Sequence, residues 1–150
     1  MAFTLEDAII LATEAHKGQI DKAGEPYILH PLRVMFSFAP YEREERMVAV
    51  LHDVIEDTDL TAESLFNAGV PAEVVGAVVA MTFTALDKSA GMTYWEFIKD
   101  RVCKHPLARR VKRHDIADNM SMERLLRLPS EKQDKMRAKY IPALELLERA

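Results

Sequence analysis

Apolar residues recur at helical spacing along almost the whole chain, and this periodicity constrains the fold more than any other feature. The 150 residues include only 5 Gly and 7 Pro, fewer than a turn-rich β-sandwich needs. A chain of this length is typical of one domain. We therefore predict that residues 1–150 form a single all-α domain, a helical bundle of about seven or eight helices.

Capping residues and helix breakers indicate where the predicted helices begin and end. Thr4 and Asp7 form a capping box at the start of the first helix, which should end by Gly18. Residues 19–29 are predicted to form a loop with a short extended piece. Residues 84–92 are predicted to form the most flexible loop. Pro142 should kink or break the last helix. The remaining predicted helices cover residues 32–38, 42–56, 61–68, 71–81, 93–102, 107–122 and 130–148.

Charge and composition exclude several classes of protein. The chain has 20 Lys and Arg against 24 Asp and Glu, a net charge of −4, and so lacks the basic excess of a nucleic-acid binder. Its apolar runs are shorter than the ~20 residues that cross a bilayer, and its N-terminus lacks the basic start of a signal peptide. A single cysteine excludes an internal disulfide and a multi-cysteine zinc site. We expect a cytoplasmic protein without nucleic-acid or membrane partners; its oligomeric state is left open.

One end of the predicted helix 42–56 concentrates polar side chains. His52, Asp53, Glu56 and Asp57 fall on the side opposite the apolar residues, at the helix C-terminus. That end is the negative pole of the helix dipole, so clustered carboxylates are unfavourable there unless a positive charge offsets them. A histidine with carboxylates is a suitable ligand set for a divalent cation. The alternative interpretation is a solvated acidic face.

The predicted helix 107–122 carries carboxylates within or beside its apolar stripe. Asp115 and Asp118 both face this side, where an unpaired charge would cost several kcal/mol. Such a carboxylate must be paired, protonated or bound to a metal. One alternative is a structural salt bridge from Asp115 to Arg33 or Arg46.

Four stretches of the chain resemble a known family. The order of His30, His52-Asp53 and Asp115 is similar to the signature of the HD superfamily of metal-dependent phosphohydrolases. Within it, the chain resembles the hydrolase domain of RelA/SpoT-type enzymes and the small alarmone hydrolases, over about residues 8–122. The matching stretches are AHKGQ (15–19), KAGEPYILHP (22–31), LHDVIEDT (51–58) and VKRHDIADNM (111–120).

The resemblance implies an HD-domain helical fold and a metal site. Its ligands would be His30, His52, Asp53 and Asp115. Alignment on the Asn-Met pair that ends the fourth stretch favours Asp115, and Asp118 is the competing choice. Manganese is the family's usual ion, and two imidazoles with two carboxylates also suit Zn²⁺, Fe²⁺ or Co²⁺.

Other roles also follow from the resemblance. Glu56 and Asp57 would position or activate the attacking water, and Asn119 would contact the metal network or the substrate. Lys22 would reach a substrate phosphate; the alternative is that its side chain extends along the surface into solvent. His16 is expected to lie buried near the ligands without joining them.

The family's reaction removes the 3′-diphosphate of guanosine tetra- or pentaphosphate, which makes (p)ppGpp the first candidate for a small-molecule nucleotide substrate. One departure concerns specificity: Asp21 stands where the family usually has an Arg that packs on guanine. Arg113 and His114 are further departures, ahead of Asp115. The alternatives are hydrolysis of another phosphorylated nucleotide, or a sensory or binding module that keeps the metal with little turnover. We expect no alarmone synthesis from these residues.

Overall fold

Helices form almost all the regular structure of the computed structural model, which describes residues 2–149. Within these residues, an isolated antiparallel bridge between Ile20 and Pro26 supplies the extended piece predicted in the first loop. The all-α prediction is confirmed. Within residues 2–149, seven helices have seven residues or more, and the others are shorter. The elements are α1 (Leu5–His16), α2 (Leu29–Phe36), α3 (Arg43–Leu51), α4 (Val54–Asp57), α5 (Ala62–Asn67), α6 (Ala72–Ala80), α7 (Ala85–Ser89), α8 (Tyr94–Asp100), a 3₁₀ helix (Val102–Lys104), α9 (Pro106–Asn119), α10 (Met122–Leu125) and α11 (Ser130–Arg149).

Capping boxes start four of these helices. The predicted box of Thr4 and Asp7 is present at α1. A similar box, in which the side chain of Thr84 accepts a hydrogen bond from the amide of Asp87, starts α7. The prediction of a flexible loop over 84–92 is therefore wrong. Asp87 also binds Arg101 at the end of α8, and this long-range ion pair was invisible to local sequence patterns.

Two other helix predictions need correction. α11 runs unbroken through Pro142, because its C-terminal half is anchored in the core by Ala143 and Leu147. The predicted helix 42–56 is interrupted at His52 and Asp53, between α3 and α4. The four polar side chains at its end therefore do not share one helix face.

Helix α3 lies at the centre of the fold and places the candidate site in the interior. It packs against α1, α2, α6 and α9, and its last four residues are fully buried. His52 follows directly and is only 2% exposed. Among residues 2–149, no helix is both long and apolar enough to cross a membrane.

Candidate active site

The structure brings together the four side chains that the resemblance implied as metal ligands. His30 comes from the first turn of α2, His52 and Asp53 from the α3–α4 junction, and Asp115 from α9. Asp115 Oδ1 lies 2.9 Å from His30 Nε2 and 3.2 Å from His52 Nε2. Asp53 Oδ2 lies 3.0 Å from His52 Nε2 and 3.8 Å from His30 Nε2. Residues up to 85 positions apart thus meet at the Nε2 atoms of the two histidines.

The orientation of His52 suits a cation. Its Nδ1 donates a hydrogen bond of 2.6 Å to the carbonyl of Ala49. In the neutral ring, Nε2 then turns a lone pair toward two carboxylates and can donate to neither, so within residues 2–149 this buried atom has no hydrogen-bond partner. Burial opposes a charge on His52, yet Asp53 and Asp115 hold its pKa well above the usual value. The cluster therefore attracts positive charge, which a divalent ion supplies.

Asp115 and Asp118 lie at opposite edges of the His30 ring. Asp118 Oδ2 is 2.7 Å from His30 Nδ1, on the side away from the other donors. It also accepts hydrogen bonds from Arg33 and Arg124. A carboxylate in this position orients a metal-binding histidine from behind. The geometry thus favours Asp115 over Asp118 as the fourth ligand.

Asp115 is paired, but with a different cation from those first considered. Lys112 Nζ donates a 2.8 Å hydrogen bond to Asp115 Oδ2, whereas Arg33 binds Asp118. The proposed salt bridge from Asp115 to Arg33 or Arg46 is therefore not formed. Burial alone would raise the pKa of Asp115, but Lys112 and His52 hold it well below its usual value. Asp115 thus stays ionised beside the histidines.

A cavity of about 330 Å³ opens above this cluster. His30, Asp53 and Asp115 lie among its lining residues, as do the predicted Lys22 and Asn119. The Asn119 amide lies 3.4 Å from Asp115 Oδ1. The remaining wall is mainly cationic and aromatic: it includes Lys88, Lys112, Arg124, Lys139, Tyr27, Phe83, Tyr94, Phe97 and Tyr140. Cations above a carboxylate-rich floor suit a phosphorylated ligand whose scissile group reaches the floor.

Glu56 and Asp57 point to different parts of the surface, although both carboxylates lie within 4.8 Å of Asp53. Glu56 lines the cavity and accepts a 2.7 Å hydrogen bond from the amide of Phe83. Burial, reinforced by Asp53, raises the pKa of Glu56. Asp57 instead lines a shallow depression beside Gln19. Glu56 is therefore the better placed of the two to act on a group in the cavity.

His16 lies outside the ligand group, whereas Asp21 lines the cavity wall. His16 is buried, with Nδ1 2.8 Å from Gln19 Oε1 and its ring against Tyr27, outside the ligand group. Asp21 Oδ1 accepts hydrogen bonds from the amides of Ala23 and Glu25 and so shapes its own loop.

Sequence reasoning missed part of the cavity wall. Lys88 comes from α7, which was predicted to be a loop, and Lys139 and Tyr140 come from α11. Nothing local to these residues signalled that they face the cluster.

Comparison with known proteins places the chain among its relatives. No protein-family model matches it. It is 47% identical over 74 residues to a guanosine-3′,5′-bis(diphosphate) 3′-pyrophosphohydrolase of Haemophilus influenzae, covering 46% of this chain and 11% of that protein. It is 46% identical over 79 residues to the bifunctional (p)ppGpp synthase/hydrolase SpoT of Escherichia coli, covering 49% of this chain and 11% of that protein. Over about half of its length, the chain is thus similar in sequence to enzymes of the RelA/SpoT type.

The fold agrees with that similarity. A solved structure described as a metazoan ortholog of SpoT that hydrolyses ppGpp superposes with a TM-score of 0.63 at 22% identity. The superposition covers 97% of this chain and 92% of that one, and so confirms the HD-type helical fold. The matched stretches span about a tenth of the length of the curated relatives.

Proposed function

We propose that this chain is a metal-dependent phosphohydrolase that cleaves a phosphate ester of a small nucleotide-like substrate. The observation that carries the proposal is the convergence of two imidazoles and two carboxylates at the floor of a cation-lined cavity. The first candidate reaction is removal of the 3′-diphosphate from guanosine tetra- or pentaphosphate, because the curated relatives are named for it. The single cysteine favours a cytoplasmic location.

The ion would be held by His30 and His52 through Nε2 and by Asp53 and Asp115 through carboxylate oxygens. The unpartnered Nε2 of His52 is the structural sign that this donor set fits a cation. When bound, a divalent ion lowers the pKa of a coordinated water and polarises a phosphoryl oxygen. Manganese is the first candidate, and mixed nitrogen and oxygen ligands also accept Zn²⁺, Fe²⁺ or Co²⁺.

Side chains of the protein would carry out the proton transfer and offset the phosphate charge. Glu56, held by the Phe83 amide, takes the proton of the attacking water. The water oxygen forms a bond to the phosphorus that is attached to the ribose 3′ oxygen. The bond between this phosphorus and the 3′ oxygen breaks, and the 3′ oxygen takes up a proton. Guanosine tetraphosphate and water thus give guanosine diphosphate and pyrophosphate. Lys22 and Lys112 offset phosphate charge, and Asn119 orients Asp115 or the substrate.

Metal analysis of the purified protein, followed by pyrophosphate release from a nucleotide panel with added manganese, tests the proposal. His52→Ala and Asp53→Ala should lose metal and activity together, while Asp59→Ala, an exposed control, should keep both. Stoichiometric metal in both cluster variants would refute the ligand assignment. Bound metal without turnover of any nucleotide would favour the sensory or binding module.

A second candidate function is hydrolysis of a phosphorylated nucleotide with a base other than guanine, and Asp21 supports this candidate. The Asp21 carboxylate shapes the loop and lies 3.9 Å from Arg124, so this position presents no cation to a base. Loss of a cation–π contact to guanine should lower the ratio of kcat/KM for guanine over adenine substrates by about 3- to 30-fold. Asp21→Arg should raise kcat/KM for guanosine tetraphosphate above that for its adenine analogue, whereas Asp21→Asn, which keeps an acceptor oxygen, should not. An unchanged guanine-to-adenine ratio in Asp21→Arg would remove this candidate.

A further inference from the structure

The proposed reaction gives the attacking water a base, Glu56, but gives the departing 3′ oxygen no proton donor. An alkoxide is a poor leaving group, so a side chain that protonates it as the bond breaks speeds such a reaction. Two cations of the cavity wall, Lys112 and Arg124, are already hydrogen-bonded to carboxylates of the site. Lys139 of α11 lines the same cavity and is held in a different way.

Two aromatic rings position the ammonium of Lys139. Its Nζ lies 4.5 Å from the centroid of the Tyr94 ring and 5.1 Å from that of the Tyr140 ring. Trp95 Nε1 donates a 3.3 Å hydrogen bond to the Lys139 carbonyl, which ties this turn of α11 to α8. Within residues 2–149, no carboxylate oxygen lies within 4.0 Å of the Lys139 ammonium. Cation–π contacts thus place this ammonium and leave its N–H groups available to a ligand.

The charges around Lys139 favour release of its proton. Partial burial lowers the pKa of Lys139, and repulsion from three lysines on other elements lowers it further. These are Lys112, Lys88 and Lys22. The carboxylate of Glu56 acts in the opposite direction but does not reverse the shift. Burial in turn raises the pKa of Glu56. An acid and a base whose pKa values both move toward neutrality are suited to proton transfer near neutral pH.

We propose that Lys139 is the proton donor to the leaving 3′ oxygen, and so a catalytic residue of the reaction on which this inference rests. Glu56 takes a proton from the water as the water oxygen bonds to phosphorus. The bond from phosphorus to the 3′ oxygen breaks, its electron pair stays on that oxygen, and the Lys139 ammonium transfers a proton to it. Protonated Glu56 then returns its proton to the neutral Lys139 amine through solvent water, which restores both groups.

The variant Lys139→Arg separates proton donation from positive charge. A guanidinium keeps the charge and the cation–π contacts, but it does not release a proton. For the nucleotide that the wild-type protein hydrolyses fastest, we expect kcat to fall about 10²- to 10⁴-fold, with KM changed less than about two-fold and metal content unchanged. Lys99→Arg, at an exposed position of α8, is the matched control and should keep the wild-type kcat. Wild-type kcat in Lys139→Arg would overturn the role of Lys139 and leave the proposed function standing.

The pH profile supplies a readout that a purely structural role of Lys139 does not change. Only the ammonium donates a proton, so kcat should fall as the pH rises through the pKa of Lys139, which lies below the ordinary 10.5. Lys139→Arg should lack this basic limb, and Lys99→Arg should keep it. The same basic limb in Lys139→Arg would assign the limb to another group and contradict the proposal.

Chemical labelling examines Lys139 without turnover. The rate of acetylation by acetic anhydride, followed by mass spectrometry over a range of pH, reports how each lysine amine titrates. Lys139 should titrate below the ordinary 10.5, and inorganic pyrophosphate should slow its acetylation but not that of Lys99. An ordinary titration of Lys139, or no protection by pyrophosphate, would overturn this inference alone. A protein that hydrolyses no phosphate ester would lose the proposed function and the donor role together.

Discussion

His30 is held at both edges of its ring, and this explains how one histidine near a helix start acquires a fixed orientation. Asp115 and Asp53 lie on the Nε2 side, and Asp118 faces Nδ1. Arg33 and Arg124 in turn bind Asp118, and hydrogen bonds from His30 and Arg33 lower its pKa to about 2 although burial opposes this. An ionised Asp118 therefore keeps the proton of His30 on Nδ1 and leaves Nε2 free for a cation.

Asp118→Asn should weaken metal binding about 10- to 100-fold without abolishing it, because the amide is a poorer acceptor for the Nδ1 proton of His30. Titration of the metal against a competing chelator measures this, with Asp59→Asn as the matched control. If Asp118→Asn binds the metal with wild-type affinity, Asp118 serves only as an ion-pair partner of Arg33 and Arg124. A loss as complete as that of Asp115→Asn would make Asp118 a ligand.

Glu56→Gln should retain metal and lose about 10²- to 10⁴-fold in turnover, since the amide keeps an acceptor for Phe83 but cannot take a proton. Asp57→Asn tests the role in positioning or activating the attacking water that the resemblance implied for Asp57. Because Asp57 lies outside the cavity, we expect a smaller loss of turnover in this variant. Steady-state rates and metal content of both variants decide this. Wild-type turnover in Glu56→Gln would reassign Glu56 to a structural role.

The pH profile should reflect the surroundings of Glu56. Burial and Asp53 raise its pKa above the ordinary 4.5. A base works only when ionised, so turnover should fall as the pH drops through this raised value, earlier than for a solvated glutamate. The acidic limb of kcat against pH measures it, and Glu56→Gln should lack that limb. An identical limb in the variant would assign it to another group.

At the scale of the element, α7 shows how a five-residue helix forms between two loops. Thr84 and Asp87 cap each other, and Asp87 accepts two hydrogen bonds from Arg101. Arg101 also donates to the carbonyl of Thr82. The helix is thus fixed at its start, and it delivers Lys88 to the cavity wall.

Asp87→Asn should lower the free energy of unfolding by about 1–2 kcal/mol at pH 7, through loss of the ion pair and a weaker cap. Hydrogen bonds from Arg101, then from the Thr84 amide, lower the pKa of Asp87 below the ordinary 3.8. Its contribution is therefore complete above about pH 4 and declines as the pH falls further. Urea unfolding at several pH values tests this, with the exposed Asp134→Asn as control. An equal loss in both variants would contradict the argument.

At the scale of the whole molecule, the cluster joins elements that are distant in sequence. One ion would link α2, the α3–α4 junction and α9 through His30, His52, Asp53 and Asp115. Without it, two carboxylates and two imidazoles remain buried together. Metal binding should therefore stabilise the entire bundle, not the site alone. That residues 1–150 form one domain stays a prediction.

Chelation should lower the melting temperature by about 5–10 °C relative to protein with metal at about a hundred times its dissociation constant, which corresponds to ~2.7 kcal/mol. Differential scanning calorimetry with and without chelator provides the measurement. His52→Ala should melt at one temperature under both conditions. A wild-type melting temperature insensitive to chelator would argue against the metal site.

The sequence by itself determined the features that depend on a few neighbouring residues. Helix periodicity predicted the all-α class, and the Thr4–Asp7 box marked the first helix start, because capping bonds span only three residues. The resemblance of His30, His52-Asp53 and Asp115 to the HD pattern predicted the ligand set that the structure brings together, and their role as ligands stays a prediction.

Only the tertiary structure decided which partners meet. Packing interrupted the helix at His52, chose Lys112 as the partner of Asp115, and set Asp118 behind His30. The same packing brought Lys139 of α11 to the cavity wall. These contacts join residues far apart in the chain, so their formation depends on how all the helices fill one core, which no local pattern encodes.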